Sequence, residues 1–268
     1  EAFYTFKRQQ YTITVNDNDK KIKKWNAPKT AYYEEKVDVS FETNAGYQAA
    51  GITTDSIALE NATQTTAHFT MPASDITLTA KADPLKYTIS YEMNHGTNSG
   101  NAVTEYTYGD TIALPDASTM SLPGFVFDGW YTLENNGVKV TKDTVMQSVH
   151  GETVYAHWNA NSYNIRFDGN KASSGSMDAE YILYDETKPL AANAYKKTGY
   201  TFTGWNTKAD GSGKTYHDED NVLNLATNGV ITLYAQWSAN HYSVVFDRNH
   251  ATGGQSRQNR SLTVCPYF

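Results

Sequence analysis

The sequence predicts a mainly β chain (α+β) built from tandem small repeats, and three observations predict it. An eleven-residue stretch, Leu122-Pro-Gly-Phe-Val-Phe-Asp-Gly-Trp-Tyr-Thr132, returns with the same skeleton as Lys197-Thr-Gly-Tyr-Thr-Phe-Thr-Gly-Trp-Asn-Thr207. An alternating strand pattern opens at Tyr11, Tyr87, Tyr163 and Tyr242, at spacings of 76, 76 and 79 residues. A closing strand, Val154-Tyr-Ala-His-Trp158 or Leu233-Tyr-Ala-Gln-Trp237, ends five residues before the next opening Tyr. A fixed period of this length means an array of like modules, each stacked only on its neighbours, rather than one large core.

The residue stock agrees. Twenty Tyr, 10 Phe, 5 Trp and 18 Gly stand beside only 19% charged residues, which suits pleated surfaces and tight turns. A formal charge of -7 offers no attraction to a phosphate backbone or an anionic bilayer, so no nucleic acid is expected as partner. No apolar run reaches the about 18 residues a membrane span needs, so no membrane insertion is expected. No charged-apolar-small leader opens the chain, and an export signal and anchor are expected outside these residues. The single cysteine, Cys265, cannot form an internal disulfide and reads as an incidental thiol.

The period divides the chain into the end of a preceding repeat (1–10), a divergent repeat (11–86), two whole repeats (87–162 and 163–241) and the start of a truncated further one (242–268). Phe3-Tyr-Thr-Phe6 stands as the closing strand before Tyr11. The joints Asn159-Ala-Asn-Ser162 and Ser238-Ala-Asn-His241 carry no Gly-rich or Ser-rich run, so semi-rigid linkers are expected.

Each whole repeat reads as about four strands. The opening strand (Tyr87–Tyr91, Tyr163–Phe167) is followed by Thr104–Tyr108 or Glu180–Tyr184, then by the Gly-aromatic strand, then by the closing one. Between the last two a short helix is expected. Val222, Leu225 and Ala226 fall at i, i+3 and i+4 behind the acidic Asp218, Glu219 and Asp220, with Gly229 as stop; the counterpart is Thr141–Val149 before Gly151. The second Gly of the marker reads as a place of close approach. In repeat one Ile52 stands where Trp130 and Trp205 do, and Ala82 where Trp158 and Trp237 do. The joint loss suggests that the two indoles touch. Thr66–Ala80 reads as two strands about a Pro turn, with no helix.

The pattern Tyr-x-(Ile/Val)-x-(Phe/Tyr), Gly-(Tyr/Phe)-x-Phe-x-Gly-Trp and (Leu/Val)-Tyr-Ala-x-Trp resembles the Listeria/Bacteroides repeat, the internalin-type B-repeat, strongly over 87–250. Residues 11–86, with Phe69-Thr-Met-Pro-Ala-Ser-Asp75, are similar to its divergent branch. The resemblance implies β-grasp-like modules in a secreted or cell-surface bacterial protein. It implies a non-catalytic stalk or adhesive array meeting a host or cell-envelope protein or glycan, and this stretch is expected to be monomeric. The alternative is an accessory carbohydrate-binding module of a surface-attached hydrolase.

No catalytic, cofactor or metal residue is assigned. Ala209-Asp-Gly-Ser-Gly-Lys-Thr215 imitates a phosphate loop, but Lys208 stands where its first Gly belongs, so a Gly-rich hairpin is expected. His217 beside Asp218–Asp220 is attributed to helix-start electrostatics. Asp168-Gly-Asn170, Asp247-Arg-Asn249 and Asn16-Asp-Asn-Asp19 lack the Gly and distal Glu of a calcium loop and read as turns. No nucleophile elbow or His-Glu-x-x-His is present, and no enzyme is expected. Exposed tyrosines are the best candidates for a binding surface, although strand packing accounts for most of the 20.

Overall fold

In the computed structural model, which describes residues 7–16, 20–243 and, as backbone alone, 261–262, the alternation of each opening strand becomes one buried face. Ile13 is buried in the first, Ile89 in the second, and Tyr163, Ile165 and Phe167 in the third. The chain forms two compact units, Glu1–Met120 with Gly129–His157 and Ser121–Asp128 with Trp158–Phe268.

The first unit begins with β1 (Gln10–Asn16), β2 (Ile22–Asn26), β3 (Thr30–Tyr32), β4 (Lys36–Thr43), β5 (Tyr47–Thr53), β6 (Thr66–Thr70) and β7 (Ile76–Pro84). These make a four-stranded sheet in the order β3-β1-β7-β5 and a three-stranded sheet β2-β4-β6. One apolar cluster draws on both: Ile13, Ile76 and Leu78 from the first, Val37, Phe41 and Phe69 from the second. The expected strands about the Pro72 turn are β6 and β7. Next come β8 (Lys86–Glu92), β9 (Thr97–Asn98), β10 (Glu105–Thr107), β11 (Met120–Ser121), β12 (Phe125–Tyr131), β13 (Lys139–Val140) and β14 (Glu152–Ala160). They form a five-stranded sheet β10-β8-β14-β12-β13 and a two-stranded sheet β11-β9.

The second unit holds β15 (Ser162–Asp168), β16 (Glu180–Leu183), β17 (Lys188–Pro189), β18 (Tyr200–Asn206), β19 (Thr215–Tyr216), β20 (Asn221–Val222) and β21 (Gly229–Ala239). The five-stranded sheet runs β16-β15-β21-β18-β19, and β17 pairs with β20. Its core contains Tyr163, Ile165, Phe167, Ile182, Leu190, Trp205 and Leu233. Beyond it β22 (Tyr242–Ser243) pairs with β23 (Ser261–Leu262).

In all three segments the opening and closing strands are parallel neighbours: β1 with β7, β8 with β14, and β15 with β21. In the first and third the Gly-aromatic strand lies antiparallel on the far side of the closing strand, with a register shift at the marker's second glycine, between Ala49 and Gly51 and between Phe202 and Gly204. There a Cβ on Gly204 would meet the Tyr216 carbonyl oxygen at 2.6 Å, the close approach expected of that position.

Three expectations are corrected. Neither short helix forms; among the described residues the one helical element is a 3-10 turn, Ala117–Thr119. In the third segment Glu219 and Asn224 take left-handed φ values of 59° and 52°, and Asn221–Val222 pair with Lys188–Pro189 instead of coiling. In the second, Met146 donates its N–H to Asp110 and accepts from Gly109, so the segment bonds to another loop rather than to itself. The four strands expected per whole repeat become a five-stranded sheet with a two-stranded companion, because two-residue pairings such as β13 and β19 add an edge. The joints are not four-residue linkers either. Strand β7 meets β8 across Leu85 alone, and β14 meets β15 across Asn161 alone. The expected strands Phe3–Phe6 and Val244–Phe246, the turns at 17–19 and 247–249, and Cys265 lie outside the described residues.

Candidate functional surface

Each marker strand buries its tryptophan, and that decides how many rings remain for recognition. Trp205 is fully buried between Phe167 (centroids 4.8 Å apart), Phe202 (5.0 Å) and Tyr195 (6.3 Å). Trp237 is half-buried, donates from Nε1 to the Gly169 carbonyl at 3.0 Å, and meets Phe202 at 5.6 Å. The two indoles expected to touch are thus bridged by Phe202. In the second segment Trp130 packs edge-on to Tyr91 and donates to the Pro115 carbonyl, while Phe127 packs on Trp158.

Among the described tyrosines, Tyr106, Tyr163 and Tyr216 are buried and only Tyr32, Tyr33, Tyr181 and Tyr242 are largely exposed. Burial raises the phenol pKa of Tyr163, Tyr106 and Tyr91 above its ordinary value. Arg8 lies over the Tyr32 ring and donates to the Tyr33 carbonyl. Tyr181 sits on the outer face of the sheet, in register with Asn164 and, across it, Val230.

The loops that imitated chemical motifs use their polar groups on themselves. Asn206, 1% exposed, is the peg of the 207–214 hairpin. Its Nδ2 donates to the carbonyls of Gly211 and Gly213 and to Thr215 Oγ1, and its Oδ1 accepts from the N–H groups of Lys208 and Gly213. Ser212 N–H goes to Asp210 and Lys214 N–H to Thr207, so these amides are engaged rather than offered to a phosphate. The two bonds from Ser212 hold the Asp210 carboxyl below its ordinary pKa.

Asn170, with φ 46°, donates its N–H to the Asp168 carboxylate and sends Nδ2 to the carbonyls of Ala209 and Ala235; Asn94, with φ 45°, sends its Nδ2 to the Ala156 carbonyl. An open hollow of about 380 Å³ beside Asn170 is walled by the 168–175 loop and Tyr195. His217 donates its N–H to Asp220 at 2.5 Å, and Asp218 accepts from Asn193. No group of three His, Cys, Asp or Glu among the described residues converges as metal ligands.

Sequence reasoning missed one surface feature. Tyr131 and His157 stack at 3.9 Å and 9°, with Lys139 over the Tyr131 ring and His157 Nε2 2.9 Å from the Leu133 carbonyl oxygen. Leu133 and Val138 stand exposed on the same hairpin. The signal was available: Tyr131 and His157 occupy the positions held in the third segment by Asn206 and Gln236, so the second segment replaces a polar peg with a ring stack.

The comparisons with known proteins agree with this geometry. The Listeria-Bacteroides repeat domain matches residues 87–157 and 163–236, and the divergent InlB B-repeat domain matches 11–82. The chain is 36% identical over 176 residues to a protein of Evansella cellulosilytica named as a Gly-rich membrane protein, covering 62% of the chain and 20% of that protein. It is 34% identical over 173 residues to a second membrane protein of that organism by name (63% and 25%) and 30% identical over 139 residues to Internalin H of Listeria monocytogenes (51% and 23%). The chain therefore spans a quarter or less of the length of these relatives. With three matched copies of one strand pattern, the chain belongs to the Listeria-Bacteroides repeat family, its first copy being of the divergent InlB B-repeat kind.

Proposed function

We propose that this chain is a non-catalytic repeat region of a bacterial secreted or cell-surface protein, a stalk or adhesive array that presents or contributes a binding surface. Its domains are 11–86, 87–162 and 163–241, flanked by the end of one repeat (1–10) and the start of another (242–268). A first hairpin lying beside a parallel closing strand supports reading each as β-grasp-like.

One observation carries the reading. The apolar cluster of the first repeat draws on residues 11–80 and that of the third on 163–237, so these two repeats each supply a core of their own, as a chain that grows by addition would. A relative named as an internalin and two named as membrane proteins support a surface location.

Small-angle scattering of the 268-residue chain tests the stalk. Each repeat of this length spans about 30 Å, so a maximum dimension of roughly 90 Å or more is expected. A value near 60 Å would contradict it. A glycan array separates the alternative: specific sugar binding lost on Tyr181→Ala would favour an accessory carbohydrate-binding module.

A further inference from the structure

The marker's first glycine is doing more than turning the chain. Gly46 has φ +90°, and a Cβ built on it would lie 2.5–2.6 Å from three atoms of the Tyr108 ring. Gly124 has φ +82°, and a Cβ there would overlap the ring of Tyr184 in the same way. Tyr108 and Tyr184 each follow the second strand of the next repeat. Gly109, at φ +88°, and Gly51, at φ +117°, have nothing within 4 Å of the same construction, so a left-handed backbone does not by itself bring a ring.

The surroundings repeat too. The aromatic after each glycine packs edge-on against the incoming ring, Tyr47 on Tyr108 at 5.3 Å and 76°, Phe125 on Tyr184 at 5.4 Å and 76°. The single joint residue is stitched on both sides. Leu85 N–H donates to Gly46 O (2.8 Å) and Leu85 O accepts from Tyr108 N–H (2.9 Å); Asn161 N–H donates to Gly124 O (2.8 Å) and Asn161 O accepts from Tyr184 N–H (2.8 Å). Asn240 N–H donates to Gly199 O at 2.8 Å in its turn. Leu85 and Asn161 have unlike side chains, so the backbone and the ring carry the joint.

We propose that the first glycine of the marker, at Gly46 and Gly124, is a seat for the tyrosine that follows the second strand of the next repeat, and that within the first unit ring, seat and stitched joint residue together lock the angle between the first two repeats. Glycine is required because the ring lies where a Cβ would be, and the ring is required because it fills the notch between the seat and the neighbouring aromatic. The partner that fits this surface is another repeat of the same kind. The proposal rests on reading the chain as an array, but it concerns the stiffness of a joint. A loose joint would overturn it while leaving the binding-surface reading standing.

The test uses the full chain carrying Cys265→Ser and spin labels at Asp55 and Lys142, one exposed position on each of the first two repeats. Pulsed dipolar spectroscopy is expected to give one narrow distance distribution. Tyr108→Ala should broaden it about twofold, and Tyr108→Phe should leave it narrow, since the contact is made by the ring. Gly46→Ala should broaden or shift it, while Gly109→Ala, matched in φ, should not. If Tyr108→Ala unfolds the second repeat, Gly46→Ala carries the test from the other side of the joint. A distribution already broad in the parent, unchanged in Gly46→Ala, or altered equally by Gly109→Ala would overturn the proposal.

Discussion

Ala49 pairs with Ala82 across β5 and β7 at the register position where Phe202 pairs with Trp237 across β18 and β21. The divergent repeat therefore lacks the cross-strand ring pair and has Ile52 in place of the buried indole. Its Phe41, Phe69 and half-buried Trp25 come instead from the second sheet, where Trp25 packs on Phe41 at 5.5 Å. Volume removed from one face is supplied from another, as close packing demands. A double-mutant cycle on Phe202→Ala and Trp237→Ala should show a coupling of about 0.5–1.5 kcal/mol by urea unfolding, and additive losses would refute the pairing as an energetic unit.

Among the described residues Trp205 is the largest fully buried side chain, and its Nε1 meets no acceptor. Trp205→Ala should cost about 3–5 kcal/mol, a cavity cost that a module of this size can hardly bear. Trp205→Phe forfeits no hydrogen bond and should cost under about 2 kcal/mol. Calorimetry should show the alanine variant losing only part of the unfolding enthalpy, since the cluster around Phe69 shares no residue with that around Trp205.

Asn206 satisfies five partners of one hairpin from a buried position. Asn206→Ala should cost about 2–4 kcal/mol and expose the peptide bond after Lys208 to trypsin. Equal cleavage rates in parent and variant would show that the loop is held some other way.

Tyr163, Tyr106 and Tyr91 carry phenols raised by burial. The folded chain then holds these protons more tightly than the unfolded one. Stability should be flat below the ordinary tyrosine value of about 10 and fall as pH rises through the higher folded values. Urea midpoints between about pH 8 and pH 11 should trace this decline, and Tyr163→Phe should make it shallower.

Much of this architecture was legible in the sequence. The strands at Tyr87, Tyr163 and the marker were written in alternation and in Gly-aromatic spacing, and the divergent copy was placed by counting from Tyr87. The helices failed because a period read from Val222, Leu225 and Ala226 does not register that Glu219 and Asn224 adopt left-handed φ, Asn224 while exchanging two hydrogen bonds with the distant Asp185. The joint absence of two indoles points to a shared neighbourhood but does not show that Phe202 is the ring between them. Tyr131 with His157 escaped notice because their meeting depends on the register of β12 against β14, which spacing alone does not give.

The parallel pairing of first and last strands bears on how the array answers a mechanical pull. In the third repeat β15 and β21 run side by side from Tyr163 opposite Gly229 to Asp168 opposite Tyr234, with the chain entering at the start of one and leaving at the end of the other. Tension along the chain draws the two strands past each other, so their hydrogen bonds are loaded together in shear rather than opened one at a time as in a peeled hairpin. Six register positions share the load there against four in β8 with β14 and in β1 with β7. Stretched between its ends, the chain should thus yield repeat by repeat in sudden steps, the third last, and force spectroscopy would read that order directly.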